Sequence, residues 1–240
     1  MNNEDLFKKI ISHAKEYGFV FPSSEIYDGL GAVYDYGQNG VELKRNIKDY
    51  WWKHIVQYNE NIVGLDAAIF MHPKVWEASG HISSFNDPMI DNKDSKKRYR
   101  ADELIENKIE EYINAGEHEK AKTLQEKLNI CLNNNDLEGL YNLILEYGIV
   151  CPLSNTANWT PVKQFNLMFK TQMGATADDN MDVFLRPETA QGIFVNFLNV
   201  QKTGRRKIPF GIAQIGKAFR NEVVARQFIM RMREFEQMEL

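Results

Sequence analysis

The chain has 240 residues, of which 43% are hydrophobic and 26% are charged, as is ordinary for a globular protein of one large or two smaller domains. Its net charge of −4 means that any nucleic-acid partner must be bound by local basic patches. Two cysteines exclude a disulfide framework, and no apolar run approaches the ~20 residues of a membrane span, so we expect a cytoplasmic protein.

The first part of the chain predicts helices separated by short strands. Apolar residues at helical spacing predict helices over 5–17 and 41–58. Residues 19–22 and 61–71 are strand-like, and 72–81 predict a short helix.

The helix predicted over 41–58 carries the adjacent tryptophans Trp51 and Trp52. Neighbouring positions on a helix point in different directions, so both side chains do not easily face one core. Core packing is one explanation and contact with a second copy of the chain is the other. We expect a homodimer contact at this helix.

The middle of the chain is rich in Lys and Glu. Residues 103–129 predict a helical stretch with a break near Gly116, and 137–147 predict another helix. Such charges are typical of a solvated face, with an RNA-facing role as the alternative. We therefore divide the chain into a first part over 1–90, an inserted charged helical subdomain over 91–155 and a second part over 156–240.

The last part predicts strands over 162–173 and 184–186, a helix over 189–200 and a strand over 210–216, with a polar loop over 175–182. The strands lack the regular alternation of βαβ units. This favours an α+β fold, with an antiparallel sheet flanked by helices.

The end of the chain alternates with a period of two, which predicts a second strand antiparallel to 210–216. One face carries a polar set: Arg231, Arg233, Phe235, Gln237 and Glu239. The other carries an apolar set: Met230, Met232, Met238 and Leu240. Arginines suit phosphate oxygens, an aromatic ring suits a base and carboxylates suit an amine. A solvent-facing strand with weak ion pairs is the alternative.

Four segments carry a resemblance to a known family. F-R-N-E at 219–222 followed by R-E-F-E-Q-M-E at 233–239 resembles motif 2 of class II aminoacyl-tRNA synthetases, in the form seen in glycyl-tRNA synthetases. R-P-E-T-A-Q-G at 186–192, H-P-K-V-W-E-A-S-G-H at 72–81 and the glycine-rich 29–37, which looks like motif 1, are similar to other segments of that family.

The resemblance implies the class II fold and the ligation of glycine to tRNA(Gly). ATP and glycine are the substrates of the first step, Mg²⁺ is the expected counter-ion of the phosphates and the protein is a homodimer. It places the catalytic contact to the α-phosphate on Arg220. The implied ATP-binding residues are Arg220, Asn221, Glu222, Met230, Arg231, Met232, Arg233, Glu234 and Phe235. The implied glycine-binding residues are Arg100, Glu188, Phe235, Glu236, Gln237, Met238 and Glu239.

Finer roles follow from the same resemblance. Glu222 is expected to accept from the adenine amino group, and Phe235 to stack on adenine. Arg233 is preferred over Arg231 for the outer phosphates. Glu188 and Glu239 are the candidates for the glycine ammonium, although a carboxylate such as Glu188 is also favoured at a helix N-terminus.

The sequence departs from the family at a zinc site. Where many relatives carry two C-x-x-C pairs, this chain has Asn92 and Ser95 on one side and Cys151 and Ser154 on the other. One thiol does not hold a structural zinc ion, so we predict no zinc and no other protein-bound metal.

The sequence stops at Leu240, inside an alternating segment and before any motif 3 or anticodon-binding domain. We expect the N-terminal part of a longer enzyme, inactive or impaired by itself. Two other functions stay open: a synthetase-like RNA-binding or regulatory module, and a ligase that activates an amino acid without tRNA.

Overall fold

The computed structural model describes residues 3–174, 181–223 and 227–240, with side chains from residue 5 onward. It forms two compact units, the first comprising Met1–Ser84 with Met168–Leu240 and the second Phe85–Leu167. The boundaries predicted after residues 90 and 155 both fall inside the second unit.

The described residues form a mixed α/β structure with eight α-helices and sheets of two or three strands. The helices are α1 Asn3–Glu16, α2 Gln38–Trp52, α3 Pro73–Ala78, α4 His81–Ser84, α5 Ala101–Asn114, α6 His118–Asn133, α7 Leu137–Glu146 and α8 Ala190–Thr203. The strands are β1 Val20–Pro22, β2 Tyr34–Tyr36, β3 Ile62–Gly64, β4 Phe70–Met71, β5 Asn86–Asn92, β6 Lys97–Arg100, β7 Lys163–Asn166, β8 Lys170–Met173, β9 Met181–Leu185, β10 Gly211–Phe219 and β11 Glu234–Glu239.

The first unit is built around the antiparallel pair β10 and β11. Strand β3 lies on the other side of β10 and runs parallel to it, which the expectation of a purely antiparallel sheet did not include. Strands β4, β9 and β8 form a separate antiparallel sheet, and β1 pairs with β2.

Helix α2 is shorter than the helix predicted over 41–58, because the backbone continues from Trp52 as a π-helical turn over Lys53–Gln57. Trp52 packs against Gly64 of β3, where an added Cβ would lie 2.5 Å from the indole ring. This tryptophan therefore has a packing partner within its own chain.

The second unit packs α5, α6 and α7 beside the antiparallel sheet β6–β5–β7. Gly116, at a φ of +77°, ends the α5 region and allows the sharp turn before α6, at the predicted break. The core consists of apolar side chains on one face of each helix, among them Ile105, Leu124, Leu128, Leu140 and Ile144. The Leu167 amide donates to the Phe85 carbonyl at 3.1 Å, so the chain enters and leaves this unit at one place.

The strand predicted over 162–173 is wrong as a single element. Residues 163–166 pair with β5 in the second unit, whereas 170–173 pair with β9 in the first. The alternation continues across the break, but the partner strand changes.

Candidate functional site: a groove at the β10–β11 hairpin and the start of helix α8

The β10–β11 hairpin aligns the predicted binding residues in a defined register. Opposite positions share a face, and one face carries the pairs Ala218↔Phe235, Gly216↔Gln237 and Gln214↔Glu239. The period of two predicted for the end of the chain is therefore present in β11.

A groove of about 410 Å³ lies at one end of this hairpin. Its lining is Arg220, Glu222, Ile229, Met230, Arg231, Met232, Phe235 and Glu236. Six of the nine residues predicted to bind ATP are in this set. The remaining three are Asn221, which follows Arg220 in the loop, Arg233, and Glu234 at the start of β11.

Arg220 lies across the ring of Phe235. Its guanidinium carbon is 5.3 Å from the ring centroid, within the range of a cation–π contact. Its Nε donates to the Pro187 carbonyl at 3.1 Å, and its backbone amide donates to the Arg233 carbonyl at 2.9 Å. The residue predicted for the α-phosphate and the ring predicted for adenine are thus neighbours in one groove.

Arg231 and Arg233, later in the hairpin, also make contacts within the protein. Arg231 Nε lies 3.3 Å from a carboxylate oxygen of Glu222. Arg233 donates to the carbonyls of Glu222 and Gly31, at 3.0 and 2.9 Å. Arg231 is thus paired with a carboxylate, whereas the acceptors of Arg233 are two backbone carbonyls. The preference for Arg233 stays a prediction.

The opposite face of β11 points to helix α2. Glu236 accepts salt bridges from Lys44 and Lys48, at 2.9 and 3.2 Å, and Glu234 pairs with Lys217. Burial raises the pKa of the Glu236 carboxyl, but the two lysines outweigh it and hold that pKa below its usual value. Glu236 was predicted to bind glycine; in the structure its carboxylate is engaged by lysines.

Met238 lies on the same face as Glu236 and lines an apolar groove of about 570 Å³. Side chains of α1 and α2 form much of that groove, including Phe7, Ile10, Leu43 and Ile47. The predicted glycine contact of Met238 also stays a prediction.

Glu188 and Glu239, both predicted to bind the glycine ammonium, are linked through the buried Thr189. The Thr189 amide donates to Gln237 Oε1 at 3.2 Å, and its hydroxyl donates to Glu239 Oε2. Glu188 precedes Thr189 and accepts from Gln191 Nε2 at 2.7 Å. Three of the residues predicted to bind glycine therefore converge on one turn, at the start of α8.

Arg186 is a buried residue of this region that sequence reasoning did not select. It is 2% exposed and donates to the carbonyls of Lys217 and Ala67, at 2.6 and 2.7 Å. Its guanidinium covers Gly216, where a Cβ would overlap it. Burial lowers the pKa of this arginine. The feature of the sequence that could have identified Arg186 is its position as a charged residue at the end of an apolar strand.

Arg100, predicted to bind glycine, lies in the second unit at the N-terminal end of α5. Its guanidinium donates to Asp102 in a two-point contact, with Nε 3.1 Å from Oδ1, and lies 3.6 Å from Asp87. The hydrogen bonds to Asp102 raise the pKa of Arg100 further above its already high value, although burial opposes them. Its role toward glycine stays a prediction.

The four residues that stand at the family's zinc positions meet in the second unit. Asn92 Oδ1 accepts from the Ser95 amide at 2.9 Å and from Ser154 Oγ at 3.1 Å. Cys151 Sγ lies 3.4 Å from Ser95 Oγ and 3.2 Å from the Tyr99 hydroxyl. A hydrogen-bonded cluster therefore joins these segments. In the described part of the chain, no group of three or more His, Cys, Asp or Glu side chains is placed to hold a metal ion.

Part of the chain matches the sequence profile of a known protein family. A sequence profile described as "Glycyl-tRNA synthetase insertion domain 1" matches residues 87–123 and 116–167, within the second unit. The resemblance indicated by the four segments thus extends to the insertion between them. Within the described ranges, no helix is both long and apolar enough to cross a membrane.

Particular relatives extend the similarity to nearly the whole chain. A glycine–tRNA ligase of Chlorobaculum tepidum is 57% identical over 97% of this chain and 50% of its own length. That of Macrococcus caseolyticus is 56% identical, covering 99% and 48%, and that of Staphylococcus aureus strain JH9 is 56% identical, covering 96% and 47%. The resemblance to glycyl-tRNA synthetases is confirmed, and the chain spans about half the length of the curated relatives it matches.

Proposed function

We propose that this chain is part of a glycine–tRNA ligase. The observation that carries the proposal is the groove at the β10–β11 hairpin, which is lined by Arg220, Phe235 and Glu222, three of the residues predicted to bind ATP. The high identity to glycine–tRNA ligases supports glycine as the amino acid. In this proposal the first unit has the class II catalytic fold, and the acidic cluster formed by Glu188 and Glu239 at the start of α8 binds glycine.

The first step joins glycine to AMP. A carboxylate oxygen of glycine attacks the α-phosphorus of ATP, the bond to the bridging oxygen of the β-phosphate breaks and pyrophosphate leaves with that electron pair. Glycine is already ionised at neutral pH, so no side chain needs to remove a proton. Arg220 stabilises the charge on the α-phosphate, while Phe235 and Glu222 bind adenine through its ring and its amino group.

In the second step a hydroxyl oxygen of the terminal ribose of tRNA(Gly) attacks the glycyl carbonyl carbon. The bond from that carbon to the phosphate oxygen breaks, AMP leaves with the electron pair and the hydroxyl proton is released to solvent. Glu188 and Glu239 hold the glycine ammonium throughout and narrow the site. A closed acidic site excludes every larger amino acid by steric clash, which discriminates more strongly than the ~1–3 kcal/mol gained per methylene in an apolar pocket.

Mg²⁺ belongs to the proposal as a counter-ion of the phosphates. It usually retains several waters and binds mainly through substrate phosphates. In the groove, Glu222 is paired with Arg231 and is assigned to adenine, and Glu236 is paired with lysines, so the ion would be held through the phosphates of ATP. The chemistry that the ion supplies is neutralisation of the phosphate charge.

A homodimer in the cytoplasm completes the proposal. Helices α1 and α2 expose apolar side chains beside the 570 Å³ groove, among them Ile10, Leu43 and Ile47, each about half exposed. An apolar surface of this kind suits a second copy of the chain.

The test uses the full-length enzyme that contains this chain. Glycine-dependent exchange of pyrophosphate into ATP, together with transfer of radiolabelled glycine to tRNA(Gly), is the expected result. Exchange without transfer to tRNA would indicate the tRNA-independent ligase instead. Binding of RNA without glycine-dependent exchange would indicate the regulatory module and overturn the proposal.

A further inference from the structure

Glu188 is held by the protein through only one of its two carboxylate oxygens. Gln191 Nε2 donates to Oε1 at 2.7 Å, and His81 Nε2 lies 3.4 Å from the same atom. Among the described residues, no hydrogen bond or ion pair involves Oε2. The second oxygen therefore remains available as an acceptor.

Glu188 is more exposed than the two residues that contact it. The Glu188 side chain is 29% exposed, whereas that of His81 is 12% exposed and Gln191 as a whole is 9% exposed. The groups that hold Glu188 are thus covered, while the carboxylate itself can be reached from outside the protein.

The orientation of the Gln191 amide leaves one of its polar atoms unpaired among the described residues. Its Oε1 is buried and has no hydrogen-bond partner within the described ranges. An unpaired buried acceptor destabilises a protein, because its lost hydrogen bonds to water are not replaced. Turning the amide over would place this oxygen against the Glu188 carboxylate, so the donor contact to Glu188 determines the orientation.

His81 is fixed on its other side. Its Nδ1 lies 2.9 Å from Ser79 Oγ, and its ring packs edge-on against the buried Trp76, with centroids 5.5 Å apart. The imidazole therefore presents Nε2 to Glu188 in one orientation.

The second carboxylate of the cluster follows the same pattern. Glu239 accepts from the Thr189 hydroxyl through Oε2, and among the described residues no hydrogen bond or ion pair involves its Oε1. Each of the two carboxylates thus gives one oxygen to the protein and keeps one, which matches an ammonium group that needs several separate acceptors.

We propose that Gln191 and His81 are positioning residues that hold Glu188 through Oε1 and so present Oε2 to the ammonium group of substrate glycine. This inference rests on the proposed function, in which Glu188 binds that ammonium. Neither residue touches glycine itself, so their loss should weaken glycine binding more than it slows the chemical steps.

The first variant is Gln191→Leu in the full-length enzyme, assayed by glycine-dependent pyrophosphate exchange. Loss of one hydrogen bond to a carboxylate should raise the KM for glycine about tenfold. The KM for ATP and kcat should stay within about threefold of wild type. Because the substitution removes the unpaired Oε1, the melting temperature should not fall; a structural role would lower it.

The second test is rescue at position 81. His81→Leu should raise the KM for glycine as Gln191→Leu does, whereas His81→Gln keeps an N–H donor at similar reach and should restore most of the affinity. Gln201→Leu, the same change near the other end of α8, is the matched control. Equal effects of the Leu and Gln variants at position 81 would overturn the positioning role of His81.

Glu188→Gln separates this inference from the proposed function. If Glu188→Gln raises the KM for glycine while Gln191→Leu and His81→Leu leave it unchanged, Glu188 binds glycine and the inference is wrong. If Glu188→Gln itself leaves the KM unchanged, the proposed role of Glu188 fails.

Discussion

The contact between β11 and helix α2 depends on one carboxylate, and Glu236→Gln tests it. The substitution keeps the shape of the side chain and removes its charge, so both salt bridges, to Lys44 and Lys48, lose their electrostatic part. It also decides between two roles for Glu236, because a glycine ligand and a structural anchor respond differently.

The expected loss of stability follows from the solvent exposure of the three charged side chains. The Glu236 side chain is 19% exposed, but its lysine partners are 27% and 35% exposed, so solvent screens both pairs. Partly exposed ion pairs contribute about 0.2–1 kcal/mol each, which gives a loss of about 1 kcal/mol in the free energy of unfolding for the two. For a chain of this size that lowers the melting temperature by about 2–4 °C.

The effect should depend on pH with a defined sign. The pKa of Glu236 is lower in the folded protein than its usual value, because the lysines outweigh burial. Its stabilisation is therefore complete above the usual glutamate pKa of about 4.3 and is lost as the pH falls through the lower folded value. Wild type and Glu236→Gln should differ at pH 7, and the difference should shrink as the pH falls below the usual glutamate pKa and through the lower folded one.

Thermal unfolding followed by circular dichroism at pH 7, 5 and 3.5 measures this difference, with Glu42→Gln on the exposed face of α2 as the matched control. A difference in melting temperature that does not shrink between pH 7 and pH 3.5, or is absent at pH 7, would refute the electrostatic reasoning. A raised KM for glycine with an unchanged melting temperature would instead favour the predicted role in glycine binding.

Three further outcomes are expected. Arg220→Ala should slow glycine-dependent pyrophosphate exchange about 100-fold or more, because a group that stabilises charge in the transition state is lost. Gly216→Ala should lower the free energy of unfolding by about 1–3 kcal/mol in urea titrations, because its methyl group overlaps the pinned guanidinium of Arg186. Cys151→Ala should destabilise the second unit by about 1–3 kcal/mol in the same assay, whereas Cys151→Ser should retain most of the stability, because a hydroxyl keeps the hydrogen bonds to Ser95 and Tyr99.

Each of these has an outcome that contradicts it. Wild-type exchange by Arg220→Ala would remove the α-phosphate assignment, and Arg220→Lys controls for charge without the planar fork. An unchanged urea midpoint for Gly216→Ala would show that Arg186 moves aside at no cost. Equal losses in both Cys151 variants would show that the volume of sulfur, not its hydrogen bonds, stabilises the cluster.

Local patterns predicted the elements whose partners lie close in sequence. The alternation after Arg231 predicts β11, and its pairing with β10 is the nearest one available. Gly116 separates α5 from α6 as expected, because a residue with positive φ ends a helix wherever the rest of the chain lies.

Elements whose partners are distant in sequence were harder to predict. The parallel pairing of β3 with β10 joins residues 62–64 to 211–213, and no local pattern records it. The division between β7 and β8 is of the same kind, because alternation is identical whichever strand is the neighbour. In the site, the family resemblance identified Glu188 as a candidate, whereas the contacts of Gln191 and His81 with one of its oxygens are evident only from the three-dimensional structure.

The hydrogen bond between Leu167 and Phe85 closes the second unit into a loop with adjoining ends. A segment whose first and last residues are adjacent can be inserted or deleted in evolution as a unit, because a tight turn can join the chain in its absence. Because its two ends adjoin, Phe85–Leu167 is also a suitable segment to express alone. Its removal cuts the backbone at only two positions, and these are neighbours in space.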